Sequence, residues 1–373
     1  MTQVYRADRR SFLRTGAVAG AALVAGAALG EEALAANGSI PQGDIDILRL
    51  LAAAELIEAD LWQQYAELGG LTSGQPIEVD PNQTLNPYQV ALSNLDPDGP
   101  QYITSNTGDE KSHAAFLNAY LESKGANPVD LDKFRILKGS QATGAQNIGR
   151  LTNLMHLNVD TSWYVRYRSA TNPDFGATFP QALTLNGVTA IPRTDADFAG
   201  GPFPNGNPTP GNVHIQAIAN VAAFHFGFIE QGGSSLYATL SQKVSSPEVL
   251  KITLSIGGDE IAHFLEWVDF SGNGVQEPVA PFTDPTSGLT FPNFFSPLNP
   301  LIQPSLIFPV PCEFISPNLP HCAVIRPTSP GQIDAVGAIN SFIADGLFTG
   351  QRTDFTPFLL DLARKADAAT RQC

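Results

Sequence analysis

Positive charge is scarce in this chain. Its 373 residues include 21 Lys and Arg against 36 Asp and Glu, which gives a formal net charge of −15 at pH 7. A surface of that sign repels phosphate backbones and anionic lipid, so we expect no nucleic-acid partner. Charged residues of either sign make up only 15% of the chain, whereas it contains 33 Gly and 29 Pro, so long turn-rich connections are expected.

Cysteine is also scarce, with Cys312, Cys322 and Cys373 as its three occurrences. They form no Cys-x-x-Cys pair and no Cys/His pair at zinc spacing, which leaves a structural zinc site with little support. In an oxidising compartment, a disulfide between Cys312 and Cys322 could close a short loop, with Cys373 left over. No P-loop, G-x-S-x-G turn or Rossmann fingerprint occurs in a suitable strand-to-helix context.

Long hydrophobic runs are missing outside the N-terminal region. There, the paired arginines Arg9 and Arg10 precede a Gly/Ala-rich apolar run over residues 15–30, and an Ala-Leu-Ala site follows at residues 33–35. The order is that of a cleaved signal peptide, and the arginine pair resembles a twin-arginine signal. The run is shorter than the roughly 20 residues of a membrane span. We therefore predict a signal peptide over residues 1–35, export by the twin-arginine pathway to the periplasm or beyond, and no transmembrane anchor after cleavage.

Helical periodicity marks four long segments, at residues 45–68, 105–123, 213–242 and 247–270. Shorter helices are expected near residues 146–157, 161–169, 332–347 and 356–370. A Pro/Asn/Gly-rich stretch up to residue 99 separates the first two long helices, and a longer crossover, residues 126–212, separates the second from the third. One long crossover between parallel neighbours is the connectivity of one class of four-helix bundle. We assign residues 40–270 to the bundle and residues 271–373 to a Pro-rich strap and C-terminal helices packed on it.

Two of the predicted helices carry the same Glu-x-x-His element. Glu110 precedes His113 in the second long helix, and Glu260 precedes His263 in the fourth. A spacing of three places carboxylate and imidazole on one helix face, so that both can reach the same metal region. Carboxylate and imidazole ligands suit iron and manganese.

The other two long helices offer further carboxylates. Glu230 in the third helix lies among apolar residues, where an unpaired carboxylate is costly. In the first helix, Glu55 and Glu58 are three residues apart, so that either or both can point inward. Spacing alone does not separate them.

A family resemblance is carried by these motifs. The run AELIEADLW, residues 54–62, resembles the first-helix motif of the ferritin-like family that includes the plant desiccation-related proteins. The Glu-x-x-His elements, together with Glu230 and Tyr237, are similar to the wider ferritin and rubrerythrin superfamily. The resemblance covers about residues 45–270 and implies a mainly α fold, a ferritin-like four-helix bundle with an irregular Pro/Gly-rich C-terminal extension ending in helices. Trp62 stands where Phe or Tyr is usual.

The resemblance also implies a site for two iron or manganese ions. It makes Glu55 or Glu58, and Glu230, the terminal ligands, Glu110 and Glu260 the bridging carboxylates, and His113 and His263 one nitrogen ligand per metal. The expected function is Fe(II) oxidation or the reduction of dioxygen or peroxide by an exported protein. No rubredoxin-like module is present to deliver electrons.

Two functions of other classes remain open from the sequence. One is a non-enzymatic envelope or extracellular stress-protection scaffold, as the desiccation-related resemblance suggests. The other is a binding module whose crossover and strap form a ligand cleft. Under the leading hypothesis, the expected partners of the protein are metal ions and dioxygen or peroxide. A homo-oligomer is compatible with all three hypotheses. The remaining histidines fit no ligand spacing and are expected on the surface or in the core: His156, His214, His225 and His321.

Overall fold

Apolar residues at three- and four-residue steps make this a mainly helical protein. The computed structural model describes residues 39–71, 85–161, 163, 182–199, 214–277, 279–295, 309–312, 315–324 and 334–372. Within those residues the helices are α1 Gln42–Gly69, α2 Pro87–Leu95, α3 Gly99–Ser123, α4 His214–Ser241, α5 Pro247–Phe270, α6 Ala335–Ala344 and α7 Phe355–Ala368. The four long predicted helices correspond to α1, α3, α4 and α5, and the two predicted C-terminal helices to α6 and α7. The predicted signal peptide, residues 1–35, lies outside the described residues.

Helix α2 and the first turns of α3 were not predicted, because their prolines and glycine read as helix breakers. Pro87 occupies the first turn of α2. Backbone N–H groups in the first turn have no intrahelical acceptor, so a proline there costs no helical hydrogen bond. The side chain of Asn86 accepts a hydrogen bond from the backbone N–H of Gln89 at 2.8 Å, and the Gln89 side chain accepts one from the Asn86 N–H at 2.9 Å. This reciprocal cap begins α2. Pro100 lies in the first turn of α3 in the same way.

The four long helices pack in antiparallel pairs around one core. Helix α3 runs antiparallel to α1, because Trp62 of α1 contacts Thr107 while Glu55, two turns earlier, contacts His113. Helix α4 is also antiparallel to α1, since Trp62 contacts Glu230 there and Glu55 contacts Tyr237. Helices α3 and α4 are therefore parallel. The segment that joins the end of α3 to the start of α4 has to span the length of a helix. Helix α5 packs along α4 and contacts α3.

Residues 146–157, predicted as a helix, instead contain a strand and irregular backbone. Strand β1 Leu137–Lys138 pairs with β2 Gly149–Arg150, and β3 Leu157–Asp160 pairs with β4 Thr184–Val188, both antiparallel. The backbone N–H groups of Leu151 and Thr152 donate to Asp60 of α1 at 2.9 and 3.0 Å. A buried carboxylate on another element thus takes the donors that helical hydrogen bonds would use. The helix predicted at residues 161–169 lies almost wholly outside the described residues.

The C-terminal part adds two further antiparallel strand pairs and packs helices on the core. Strand β5 Phe282–Thr283 pairs with β6 Thr290–Phe291, and β7 Pro309–Val310 with β8 Cys322–Ala323. Helix α7 packs against α1, and α6 against α4 and α7. Cys322 is an exposed, free cysteine, so the structure does not contain the disulfide with Cys312 that an oxidising compartment would allow. Of the described helices, none combines the length and hydropathy that a membrane span requires.

Candidate metal centre

A buried cluster of carboxylates and imidazoles lies between the four long helices. Helix geometry places Glu110 and His113 on one face of α3, and Glu260 and His263 on one face of α5. Helices α1 and α4 each add a carboxylate, from Glu55 and Glu230. All of these side chains are buried, and the three glutamates Glu55, Glu110 and Glu260 are 0% exposed.

One half of the cluster surrounds the Nδ1 atom of His113. This nitrogen lies 3.2 Å from Oε2 of Glu110, 3.4 Å from Oε2 of Glu55 and 3.9 Å from Oε1 of Glu260. Each of the four residues offers a ligand atom, and these atoms lie within 4.8 Å of one another. The group could therefore hold a metal ion.

The other half surrounds the Nδ1 atom of His263. This nitrogen lies 3.1 Å from Oε1 of Glu110 and 3.4 Å from Oε2 of Glu230, and the three residues again offer ligand atoms within 4.8 Å of one another. Glu110 thus faces both halves, with Oε2 toward His113 and Oε1 toward His263. The two imidazole centroids are 6.5 Å apart.

Aromatic donors fix the two carboxylates at the ends of the cluster. The indole Nε1 of Trp62 donates to Oε1 of Glu230 at 3.0 Å, and the hydroxyl of Tyr237 donates to Oε1 of Glu55. In both glutamates the other oxygen, Oε2, faces an imidazole and has no hydrogen-bond partner among the described residues. Each of these carboxylates therefore keeps one oxygen available to a ligand.

Two aspartates that sequence analysis missed hold the outer edges of the imidazoles. Nε2 of His113 lies 3.2 Å from Asp259 of α5, and Nε2 of His263 lies 3.4 Å from Asp109 of α3. Each aspartate therefore faces the imidazole of the other helix. Such outer carboxylates orient a ligating histidine and fix which nitrogen points at the metal. The signal was present in the sequence, because both motifs read Asp-Glu-x-x-His. Asp109, Asp259 and His263 also form a third, partly exposed group with metal-binding spacing.

Glu58, the alternative to Glu55, is buried but belongs to none of the groups with metal-binding spacing among the described residues. It lines a mainly apolar cavity of about 30 Å³ between α1, α4 and α6. Ala54, Phe228 and Phe342 are among the other residues that line this cavity. A cavity of that size has room for about two water-sized molecules. The structure therefore places Glu55 in the cluster and Glu58 beside it.

Burial and neighbouring charges together set the charge state of the cluster. Burial raises the pKa of Glu55 to about 8 and the pKa of Glu260 well above its usual range. Burial acts on Glu110 in the same direction, but the adjacent imidazoles of His113 and His263 outweigh it and lower the pKa of Glu110 to about 2. For His113, burial is outweighed by the carboxylates of Asp259, Glu110 and Glu55, which raise its pKa to about 12.

The residues fit a pair of hard cations. Six of the ligand-type atoms are buried without a hydrogen-bond partner in the part of the chain that the structure describes: Oε2 of Glu55, Oε1 of Glu110, Oε2 of Glu230, both oxygens of Glu260 and Nδ1 of His263. Buried polar atoms without partners are costly, and oxygen-rich groups with one imidazole each are ligands for iron or manganese. Comparisons with protein-family models, curated proteins and solved structures gave no match.

The other four histidines lie outside the groups with metal-binding spacing among the described residues. His156 and His321 are exposed, and His214 pairs with Asp284 at 3.0 Å. His225 is buried in the core and is hydrogen-bonded to Tyr65.

Proposed function

We propose that this chain is a ferritin-like four-helix bundle protein that holds two iron or manganese ions and acts on dioxygen or peroxide, with Fe(II) itself as a further substrate. The observation that carries the proposal is the position of Glu110, whose two oxygens face two different imidazoles. Each imidazole has its own end carboxylate, from Glu55 or Glu230. Two ligand sets that share one carboxylate are what two adjacent cations require.

Charge supports a pair of divalent ions. The four carboxylates Glu55, Glu110, Glu230 and Glu260 carry four negative charges when ionised, which match two divalent cations. In this assignment Glu55 and Glu230 would be terminal ligands and Glu110 would be shared by both ions. Glu260, for which the family resemblance implied a bridging role, would join the half that contains His113. A bound metal pair of this kind supplies one-electron redox steps and polarises a bound oxidant.

The chain's own residues supply orientation and exclude water. Asp109 and Asp259 hold the imidazoles so that both Nδ1 atoms point inward. Trp62 and Tyr237 fix one oxygen each of Glu230 and Glu55. The parallel arrangement of α3 and α4, joined by the long segment between them, supports the ferritin-like topology. The twin-arginine resemblance supports export as part of the same proposal.

The stress-protection scaffold needs no metal, and it leaves unexplained why several buried carboxylate oxygens of the cluster lack a hydrogen-bond partner among the described residues. A buried ionisable cluster is weak evidence for stability, because apolar residues of similar volume would serve a purely structural core as well or better. We therefore favour the metal protein over the scaffold.

Metal stoichiometry tests the proposal. The mature protein is loaded with Fe(II) or Mn(II) under nitrogen, passed through a desalting column and analysed for metal, and the Fe(II) form is then mixed with dioxygen and followed by absorbance. We expect about two ions per chain. Glu110→Gln should retain less than one ion per chain, because both halves of the cluster lose a ligand. The control Glu122→Gln changes an exposed glutamate of the same helix and should bind as many ions as the wild type. Fewer than one ion per wild-type chain, or equal loading of Glu110→Gln, would refute the proposal.

A further inference from the structure

A groove with a volume of about 300 Å³ lies between α1, α3 and the first part of the crossover. Each of the two helices lines it with four residues at steps of three, one and three, which place them on one helix face. This face differs from the one that carries the metal-ligand candidates. Lys111 of the groove directly follows Glu110 and therefore lies about 100° further round α3. Alanines at positions 59, 114 and 115 leave the space that the groove occupies.

Positive side chains are concentrated in this groove. The whole chain has 21 Lys and Arg and a net charge of −15. In the part of the chain that the structure describes, Lys111, Arg135 and Arg150 line the groove together with a single carboxylate, from Asp60. That carboxylate is already engaged, because it accepts from Nη1 of Arg135 at 2.7 Å and from two backbone N–H groups. Lys111 donates to the side-chain carbonyl of Gln63, which is a neutral group.

Arg150 is the buried member of this basic set, and it is 1% exposed. Its Nη2 lies 2.5 Å from Oε2 of Glu67 and donates to the carbonyl oxygen of Gln146 at 3.1 Å. The other two guanidinium nitrogens, Nε and Nη1, are buried and have no hydrogen-bond partner among the described residues. Buried donors of a charged group are costly when no acceptor meets them. Glu67 therefore balances the charge of Arg150 but leaves most of its donors unused.

We propose that the groove binds a small organic molecule that carries a carboxylate or phosphate group, held by Arg150 and Lys111. The oxyanion accepts hydrogen bonds from the unused donors of Arg150 and pairs with the ammonium of Lys111. Guanidinium donors match the oxygens of carboxylate and phosphate in geometry as well as in charge. The proposal goes beyond the metal function, because none of the groove residues is a candidate metal ligand.

The size and the lining of the groove favour a small molecule over a polymer. A volume of about 300 Å³ is at the lower end of the range for small-molecule sites. The alanines and the half-exposed side chain of Ile148 offer apolar surface to a short carbon chain. The acidic surface elsewhere repels an extended phosphate backbone, so a nucleic acid does not fit.

Calorimetric titration of the full chain tests the proposal. The protein is freed of metal, so that anions cannot bind through metal ions, and is titrated at low ionic strength with succinate, inorganic phosphate or succinamide. We expect saturable binding of one anion per chain with a Kd below about 1 mM for succinate, phosphate or both. Succinamide has the same carbon chain as succinate without its charge and should not bind. Binding of only one anion would identify the ligand group as carboxylate or as phosphate.

Substitutions locate the bound anion. Arg150→Lys keeps a positive charge beside Glu67 but removes the unused donors, so we expect at least about tenfold weaker binding. Lys111→Gln changes an exposed side chain and should weaken binding about threefold to tenfold even if Arg150→Lys fails to fold. The control Lys251→Gln changes an exposed lysine of α5, outside the groove, and should bind as the wild type does. Thermal melting of each variant checks its folding.

Three results would overturn the proposal. These are the absence of saturable binding of both anions to the wild type, equal binding of succinamide and succinate, and unchanged anion affinity in folded Arg150→Lys and Lys111→Gln. Metal loading is measured separately on the same preparation. About two metal ions per chain without anion binding would leave the metal function standing, whereas anion binding without metal uptake would leave only the groove.

Discussion

Metal loading should release protons in a number set by the cluster itself. In the metal-free protein His113 is protonated, because the carboxylates around it outweigh burial and raise its pKa to about 12, and the pKa of His263 is raised as well. Burial raises the pKa of Glu55 to about 8, the pKa of Glu260 well above its usual range and the pKa of Glu230 above its usual range, so the protonated form of these carboxyls is favoured as well. Glu110 holds no proton, since its pKa is lowered to about 2.

The magnitude follows from this occupancy. Metal ligation requires neutral imidazoles and ionised carboxylates, so two ions displace both imidazole protons, at least about one proton per ion, and further protons from the carboxyls. The sign is fixed, because protons are bound in the metal-free state and lost on loading. Affinity per ion should therefore rise at least about tenfold for each unit of pH between roughly pH 6 and 8. Above pH 8 the slope should flatten as Glu55 loses its proton without metal.

Calorimetric titration with Mn(II) under nitrogen measures both quantities. Titrations in buffers of different ionisation enthalpy at pH 6.5 and 7.5 give the protons released per ion, and the two pH values give the slope. Glu122→Gln is the control, because that exposed side chain should change neither. Release of less than about one proton per ion, or an affinity that changes less than tenfold per pH unit, would show that the charge state derived from the structure is wrong.

Two substitutions test the positions of ligand groups. A Cβ at Gly233 of α4 would collide with a carboxylate oxygen of Glu260, whereas a Cβ at the neighbouring Gly232 meets nothing within 4 Å. In a Mn(II) titration, Gly233→Ala should therefore weaken metal binding at least about tenfold, whereas Gly232→Ala should leave it unchanged. Equal effects of the two substitutions would contradict the assignment of Glu260 as a ligand. Asp259→Asn removes the charged partner of His113 and should lower metal affinity by about 10- to 100-fold, with the melting temperature of the metal-free protein as a check on folding. Unchanged affinity would show that the aspartate does not orient the imidazole.

Local patterns were sufficient for the long helices and for the paired ligands within each. Glu110 and His113 share a face because three residues nearly complete a helical turn, and the same holds for Glu260 and His263. The geometry of a single helix is enough to place the two members of each pair on one face. The prediction that they converge required a fold as well, and it rested on the order and spacing of the predicted helices together with the family resemblance.

Other predictions were wrong where a residue type is compatible with more than one local structure, or where a contact with another element of the fold sets the backbone conformation. Pro87 and Pro100 read as breakers, although a proline is tolerated in the first turn of a helix. Residues 146–157 read as a helix, although the carboxylate of Asp60 takes the backbone donors of Leu151 and Thr152. A sequence window contains no information about a carboxylate about ninety residues away.

The sequence by itself determined which residue types are available, their spacing along each helix, and the acidic balance of the chain. Tertiary structure decided which of Glu55 and Glu58 enters the ligand cluster, because that depends on how α1 is rotated against α3 and α4. It also placed Asp109 and Asp259 each against the other helix's imidazole, and Tyr65 against His225. Spacing fixes neighbours within a helix, but contacts between helices depend on their rotation and axial offset, which only the packing of the whole core sets.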